Sequence, residues 1–140
     1  MSTIAWDGTT LAADTRGVIG ESLPIESHKL YRLTEGRLYA AVGTKSDLLL
    51  AKEWLLMAGE KPALDESFAA LLVFANGQCV RLEDKLVALP VCEPFVALGS
   101  GRDFALAAMA LGQTAEQAVA LAARFDIWTG MPIDTLRLKE

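Results

Sequence analysis

Histidine occurs once in these 140 residues, as His28, and cysteine twice, as Cys79 and Cys92. One imidazole and scattered carboxylates make no metal-ligand cluster, so no metal or other cofactor is expected. The cysteines lack CxxC spacing, which suits reduced thiols better than a disulfide framework, and both read as core residues on neighbouring strands. No apolar run reaches about 18 residues, and no basic start leads into an apolar stretch. A soluble, non-exported, cytoplasmic protein without a membrane partner is therefore expected. No long basic or acidic run occurs, and the net charge is -5. Nucleic-acid binding, which shows a basic stripe, is a poor fit, and the acidic balance speaks to solubility rather than to a partner. With no repeat, low-complexity tract or linker, the chain reads as a single domain over 1–140.

Hydrophobic residues make up 52% of the chain, and a chain of this length buries roughly 70% of its unfolded surface. Strand-like runs at 3–6 and 9–13 flank Asp7-Gly8, a hairpin signal because a type I′ turn needs positive φ. A two-residue turn would set Trp6 against Thr9 and Ser2 against Ala13. Gly17, Gly20 and Pro24 mark a loop. Residues 29–33 and 37–42 form another strand pair, turning at Glu35-Gly36.

Residues 46–58 read as a helix with Leu48, Leu49, Ala51, Leu55 and Leu56 on its apolar face, stopped by Gly59 and Pro62. The run 68–74 is nearly all apolar; it fits a helix segment or a strand buried on both faces, and its length favours the strand. Asn76-Gly77 turns into a strand at 78–82, and further strands are expected at 86–89 and 95–98. Gly99-Ser100-Gly101 breaks the chain before an alanine-rich helix at 104–111. Thr114 with Gln117 fits a capping box opening a second such helix to about Arg124. Residues 135–138 suit an edge strand. Hairpins dominate, so the sheets should be mostly antiparallel, packed on each other and covered by helices. Trp6, Trp54 and Trp128 read as core or interface packing.

Five stretches in this order resemble one family. "STIAWDG…LAADTR" gives a hydroxyl residue and then Asp-x-Arg, "HKLYRL" a lysine-bearing strand, and "VGTKSD" a glycine turn into a helix. "NGQCVRLEDKLVALP…VALGSG" gives a hairpin and a Gly-Ser-Gly turn, and "AARFDIWTG" an Asp-x-x-Thr element. The chain is similar to proteasome β-type subunits, and most of all to the bacterial HslV branch of the N-terminal nucleophile hydrolases. The resemblance implies an α+β fold, a four-layer αββα sandwich of two mostly antiparallel sheets flanked by helices. Taken singly the residues are ordinary: Asp14 ends a strand, Lys29 is a solvated charge, Gly43 and Ser100 punctuate turns. Their joint order carries the signal.

The resemblance also implies roles. Removal of Met1 would free the α-amine of Ser2, whose hydroxyl is a weak nucleophile until a base takes its proton. An α-amine, with an ordinary pKa of about 7.7–8.0, does this near neutrality without a histidine. Lys29 would sit beside the hydroxyl, paired with Asp14. The Gly43 N–H would face the developing oxyanion. Ser100, Asp126 and Thr129 would surround and orient the amine, and Arg16 would brace the Asp14 turn. Ser2 stands where the family most often has Thr, so its rotamer is less fixed. Thr3 would serve only if Met1 and Ser2 were both removed. Residues 59–67 lack most of a second helix that in the family contributes to subunit contacts.

The expected activity is peptide-bond hydrolysis through an acyl-enzyme in a ring-shaped, self-compartmentalised homo-oligomer. Peptides or unfolded proteins are the expected substrates, with an ATPase unfoldase as a candidate partner. The alternatives are a catalytically inactive ring or scaffold protein and an amidase of small amides.

Overall fold

A computed structural model describes residues 2–19 and 23–138. The strands are β1 (Thr3–Trp6), β2 (Thr10–Asp14), β3 (Arg16–Ile19), β4 (Leu23–Glu26), β5 (Leu30–Arg32), β6 (Leu38–Val42), β7 (Ala69–Val73), β8 (Cys79–Glu83), β9 (Leu89–Pro90), β10 (Val96–Gly99) and β11 (Ile133–Arg137). The helices are α1 (Lys45–Met57), α2 (Arg102–Ala110) and α3 (Ala115–Phe125). One sheet runs β10-β1-β2-β11, a second runs β5-β6-β7-β8-β9, and β3 pairs with β4. Every strand pairing among the described residues is antiparallel. None of the described helices is long and apolar enough to cross a membrane.

Strand alternation sorts the core. Ile4, Trp6, Leu11 and Ala13 point one way, and meet Leu38, Ala40, Val42, Leu71 and Val73 from the five-stranded sheet. Between them, Ala5 and Ala12 point the other way, onto Ala105, Ala108, Ala115 and Ala118 of α2 and α3. Methyl-sized side chains on both partners let these helices lie close to the sheet. Tyr39, Ala41, Ala70 and Leu72, on the opposite face of the five-stranded sheet, pack with Leu48 and Ala51 of α1. The capping box at Thr114 is present: its hydroxyl accepts from the Gln117 N–H, and the Gln117 side chain accepts from the Thr114 N–H.

The first hairpin departs from the expected register. Trp6 stands opposite Leu11 and Ile4 opposite Ala13, and the Asp7 N–H donates to the Thr10 carbonyl at 3.3 Å, so the turn sits on Gly8-Thr9 rather than on Asp7-Gly8. The Asp7 carboxylate is the cause. Its Oδ1 accepts from the N–H of Thr9 at 2.9 Å and of Thr10 at 2.8 Å, and from the Thr9 hydroxyl at 3.0 Å. That Asx-type turn holds the hairpin bend one residue further along the chain. The shift is by two residues, so each side chain keeps its face while Asp14 moves level with Thr3.

The stretch expected as a loop at Gly17 and Pro24 is instead the β3–β4 ribbon; Gly20 lies outside the described residues. The strand expected at 86–89 shrinks to Leu89–Pro90. Leu86, at φ 57°, closes a turn onto Glu83 and sends its side chain into the core. Cys79 is a core residue but Cys92 is exposed, because it lies beyond the end of β9. Trp6 is in the core and Trp54 half-buried, whereas Trp128 is 39% exposed. No helix forms across 59–67.

Asp7 also reaches across the fold: its Oδ2 accepts from the Ala115 N–H, 2.9 Å away, at the start of α3. Burial works against the Asp7 charge, but the Ala115, Thr10 and Thr9 hydrogen bonds outweigh it and hold the carboxyl below its usual range. Asp7→Ala should therefore cost about 1–2 kcal/mol in urea unfolding at pH 7. The difference from wild type should shrink as pH falls below about 4, because the stabilisation exists only while this carboxylate is ionised.

Candidate active site

Thr3 opens β1 and Asp14 ends β2. The corrected register sets them side by side, so the Thr3 N–H donates to Asp14 Oδ1 at 3.1 Å. Asp14 is fully buried. A buried carboxylate is tolerated only with its lone pairs satisfied and a countercharge at hand. Here Lys29 Nζ donates to Oδ1 at 2.8 Å, and the Gly130 and Arg16 N–H groups donate to Oδ2 at 3.0 and 3.2 Å.

Lys29 enters from the segment before β5 and is itself buried. Its ammonium also donates to the Arg16 carbonyl at 2.6 Å and to the Asp14 carbonyl at 3.2 Å. Burial pulls the Lys29 pKa below the ordinary lysine value, and the Asp14 carboxylate opposes that shift without cancelling it. Three acceptors match the three N–H bonds of an ammonium, so Lys29 is held as a fixed charge.

A second buried cluster lies behind β1. Asp126, just past α3, accepts at Oδ2 from the hydroxyls of Ser100 and Thr129, each at 2.6 Å, and at Oδ1 from the Trp128 N–H at 3.2 Å. Burial alone would raise this carboxyl, but the Ser100, Thr129 and Trp128 bonds outweigh it and hold the pKa below the usual value. The two clusters meet at the head of β1. Ser2 is buried, and its carbonyl accepts from the Gly101 N–H at 3.5 Å; the Ser100 hydroxyl, whose one proton goes to Asp126, lies 3.4 Å from the same carbonyl. A Cβ on Gly99 would lie 1.8 Å from the Ser2 carbonyl oxygen, and Gly99 sits at φ 101°, so only glycine fits there.

Six of the seven sequence-derived residues therefore share one hydrogen-bonded assembly: Ser2, Asp14, Lys29, Ser100, Asp126 and Thr129. Gly43 stands apart from that network. It follows β6 directly, at φ 116°, and is exposed. It lies two residues beyond Ala41, whose N–H donates to the Lys29 carbonyl, which puts Gly43 at the same end of the sheet as Lys29.

Arg16 bonds to the Asp14 carboxylate through its N–H and also reaches the loop after α3. Its guanidinium donates to the Ile127 carbonyl at 2.7 Å, tying the Asp14 turn to the Asp126 loop. Sequence reasoning missed Thr15, Gly101 and Gly130. Thr15 donates its hydroxyl to the Pro132 carbonyl at 2.6 Å, and its N–H to the Gly130 carbonyl at 3.2 Å. Gly130, beside Thr129, was open to detection as the end of "DIWTG". Among the described residues no group of three His, Cys, Asp or Glu side chains is placed to hold a metal ion.

Two outcomes follow. Lys29→Met should lower stability by about 3–5 kcal/mol in denaturant unfolding, because it strands the buried Asp14 charge. Ser100→Ala should move acid unfolding, followed by circular dichroism, to higher pH. Asp126 stabilises the fold above its unfolded pKa and loses that contribution as pH falls through its lowered folded value. Removing a donor raises that folded value, so the loss begins earlier.

No protein-family model matches the chain, and no curated protein matches it in sequence. Solved structures do match in shape. BPH from Thiobacillus denitrificans, also solved in complex with epoxomicin, aligns with a TM-score of 0.74 at 19% identity, over 97% of this chain and 96% of that one. Eukaryotic HslV from Trypanosoma brucei aligns at 0.68 and 18% identity, over 97% of both chains. A Gly-1 mutant of Anbu from Hyphomicrobium sp. strain MC1 aligns at 0.70 and 13% identity, over 98% of this chain and 81% of that one. At these identities the likeness is one of fold: the chain has the α+β fold of these BPH, HslV and Anbu structures.

Proposed function

We propose that the chain is an N-terminal nucleophile peptidase, a single αββα domain over 1–140 that cleaves peptide bonds through an acyl-enzyme on Ser2. One observation carries the reading. Two saturated buried carboxylates, Asp14 with Lys29 and Asp126 with Ser100 and Thr129, converge on the first residues of β1. An ordinary strand end has no use for a buried ammonium and two buried carboxylates, which are costly to desolvate. A catalyst built on its own N-terminus does, and the fold likeness supports that reading.

In the proposed reaction Met1 is first removed. The freed Ser2 α-amine takes the hydroxyl proton as Oγ attacks the substrate carbonyl carbon. The C–N bond then breaks, the amine half departs with that proton, and the acyl half stays esterified to Ser2. Water attacks the ester, releases the acid and regenerates the hydroxyl. Lys29 acts through its charge, making the developing alkoxide less costly, since its own protons are committed to Asp14 and Arg16. The Gly43 N–H is the proposed oxyanion donor. Ser100, Asp126 and Thr129 orient the amine. Copies of the chain form a ring in the cytoplasm with Ser2 facing the enclosed chamber, and an unfoldase feeds it unfolded protein.

Intact mass spectrometry of purified protein, with and without a peptide vinyl sulfone or boronate, tests the reading. The expected result is a chain lacking Met1 that gains one equivalent of probe. Ser2→Ala should abolish labelling and lower peptide cleavage by about 10³-fold or more. Retained Met1 with no labelling would contradict the reading and leave a non-catalytic assembly protein. Hydrolysis confined to small amides in a chromogenic panel would replace the peptidase with an amidase.

A further inference from the structure

Thr3 is left unused by the proposed reaction, yet both its N–H and its hydroxyl are committed at the site. It is fully buried at the head of β1, with Gly99 of β10 opposite it. Its N–H is committed to Asp14 Oδ1, the oxygen that also receives Lys29. Its hydroxyl lies 2.7 Å from the Thr129 hydroxyl. The direction of that bond follows from proton counting. Thr129 has one hydroxyl proton and gives it to Asp126 Oδ2 at 2.6 Å. The proton between the two threonines must then come from Thr3. The chain of donation runs from Thr3 to Thr129 to Asp126, with Ser100 donating to the same carboxylate oxygen.

The space around this hydroxyl is also shaped for it. A Cβ on Gly101 would lie 2.1 Å from Thr3 Oγ1 and 3.2 Å from Thr129 Oγ1, so a side chain there would displace the bond. One residue, next in sequence to the proposed nucleophile, thus ties the lysine-bearing carboxylate through its backbone and the serine-bearing carboxylate through its side chain. The same contacts argue against Thr3 as the attacking group, because its hydroxyl is buried and already donating.

We infer that Thr3 is a positioning residue, whose hydroxyl fixes Thr129 and Asp126 against the Ser2 backbone and so sets where the Ser2 α-amine sits. This inference rests on the Ser2 reading above. It concerns alignment for the chemical step rather than substrate binding, so its effect should fall on kcat and not on KM.

Steady-state peptide hydrolysis by Thr3→Val and Thr3→Ser tests it. Valine keeps the volume, the β-branch and the strand preference, and removes only the hydrogen bond. Thr3→Val should lower kcat about tenfold, with KM within about twofold of wild type. Thr3→Ser, which keeps the donor, should recover to within about threefold. An unchanged kcat in Thr3→Val, or an equal loss in Thr3→Ser, would overturn the inference. If Thr3→Val fails to fold, Thr129→Val supplies the readout by deleting the acceptor and the relay to Asp126; unchanged kcat there overturns it equally. A wild-type protein with no Ser2-dependent cleavage would remove the Ser2 reading and this inference together. Active wild type with fully active Thr3→Val would remove only this one.

Discussion

The Asp14 carboxylate is the constraint around which the end of the fold at the head of β1 is organised. It has no solvent, so every lone pair it presents must be met from inside. Four donors from four parts of the chain meet it: the start of β1, the start of β3, the segment before β5 and the loop after α3. Each donor fixes the place of one element relative to the others. Loss of the ammonium alone would strand a charge in the interior, which is far more costly than loss of an exposed ion pair.

That requirement propagates to the second carboxylate. Gly130, which donates to Asp14, directly follows Thr129, which donates to Asp126. Arg16, which donates its N–H to Asp14, reaches with its guanidinium to the carbonyl of Ile127, the residue after Asp126. The two carboxylates are therefore linked through one short loop, and neither cluster can shift without straining the other. The missing side chains at Gly99 and Gly101 complete the arrangement, since both lie where a Cβ would collide with the Ser2–Thr3 backbone or hydroxyl.

Much of this was legible in the sequence, for identifiable reasons. The strands read at 3–6, 9–13 and 37–42 were legible as apolar runs, which suit burial on both faces, and the Thr114–Gln117 box marked the start of α3. The grouping of Ser2, Asp14, Lys29, Ser100, Asp126 and Thr129 was suggested by the order of the motifs rather than by any one of them. The hairpin register was not, because an Asx-type turn at Asp7 moves the bend onto Gly8-Thr9 and away from the Asp-Gly pair. The β3–β4 ribbon was hidden by glycine and proline, which suit loops and edge ribbons equally. The end-on roles of Thr3, Gly101 and Gly130 depend on contacts between residues about 100 or more positions apart, which no local pattern encodes.

The central claim is that the buried ammonium of Lys29 serves chemistry at Ser2 rather than only neutralising Asp14. A crystal structure of the purified protein soaked with a peptide boronate tests this most directly. The account predicts continuous density from boron to Ser2 Oγ, no residue ahead of Ser2, and the Lys29 ammonium still on Asp14 beside the adduct. Density on another hydroxyl, or an unmodified Ser2 behind an intact Met1, would contradict it.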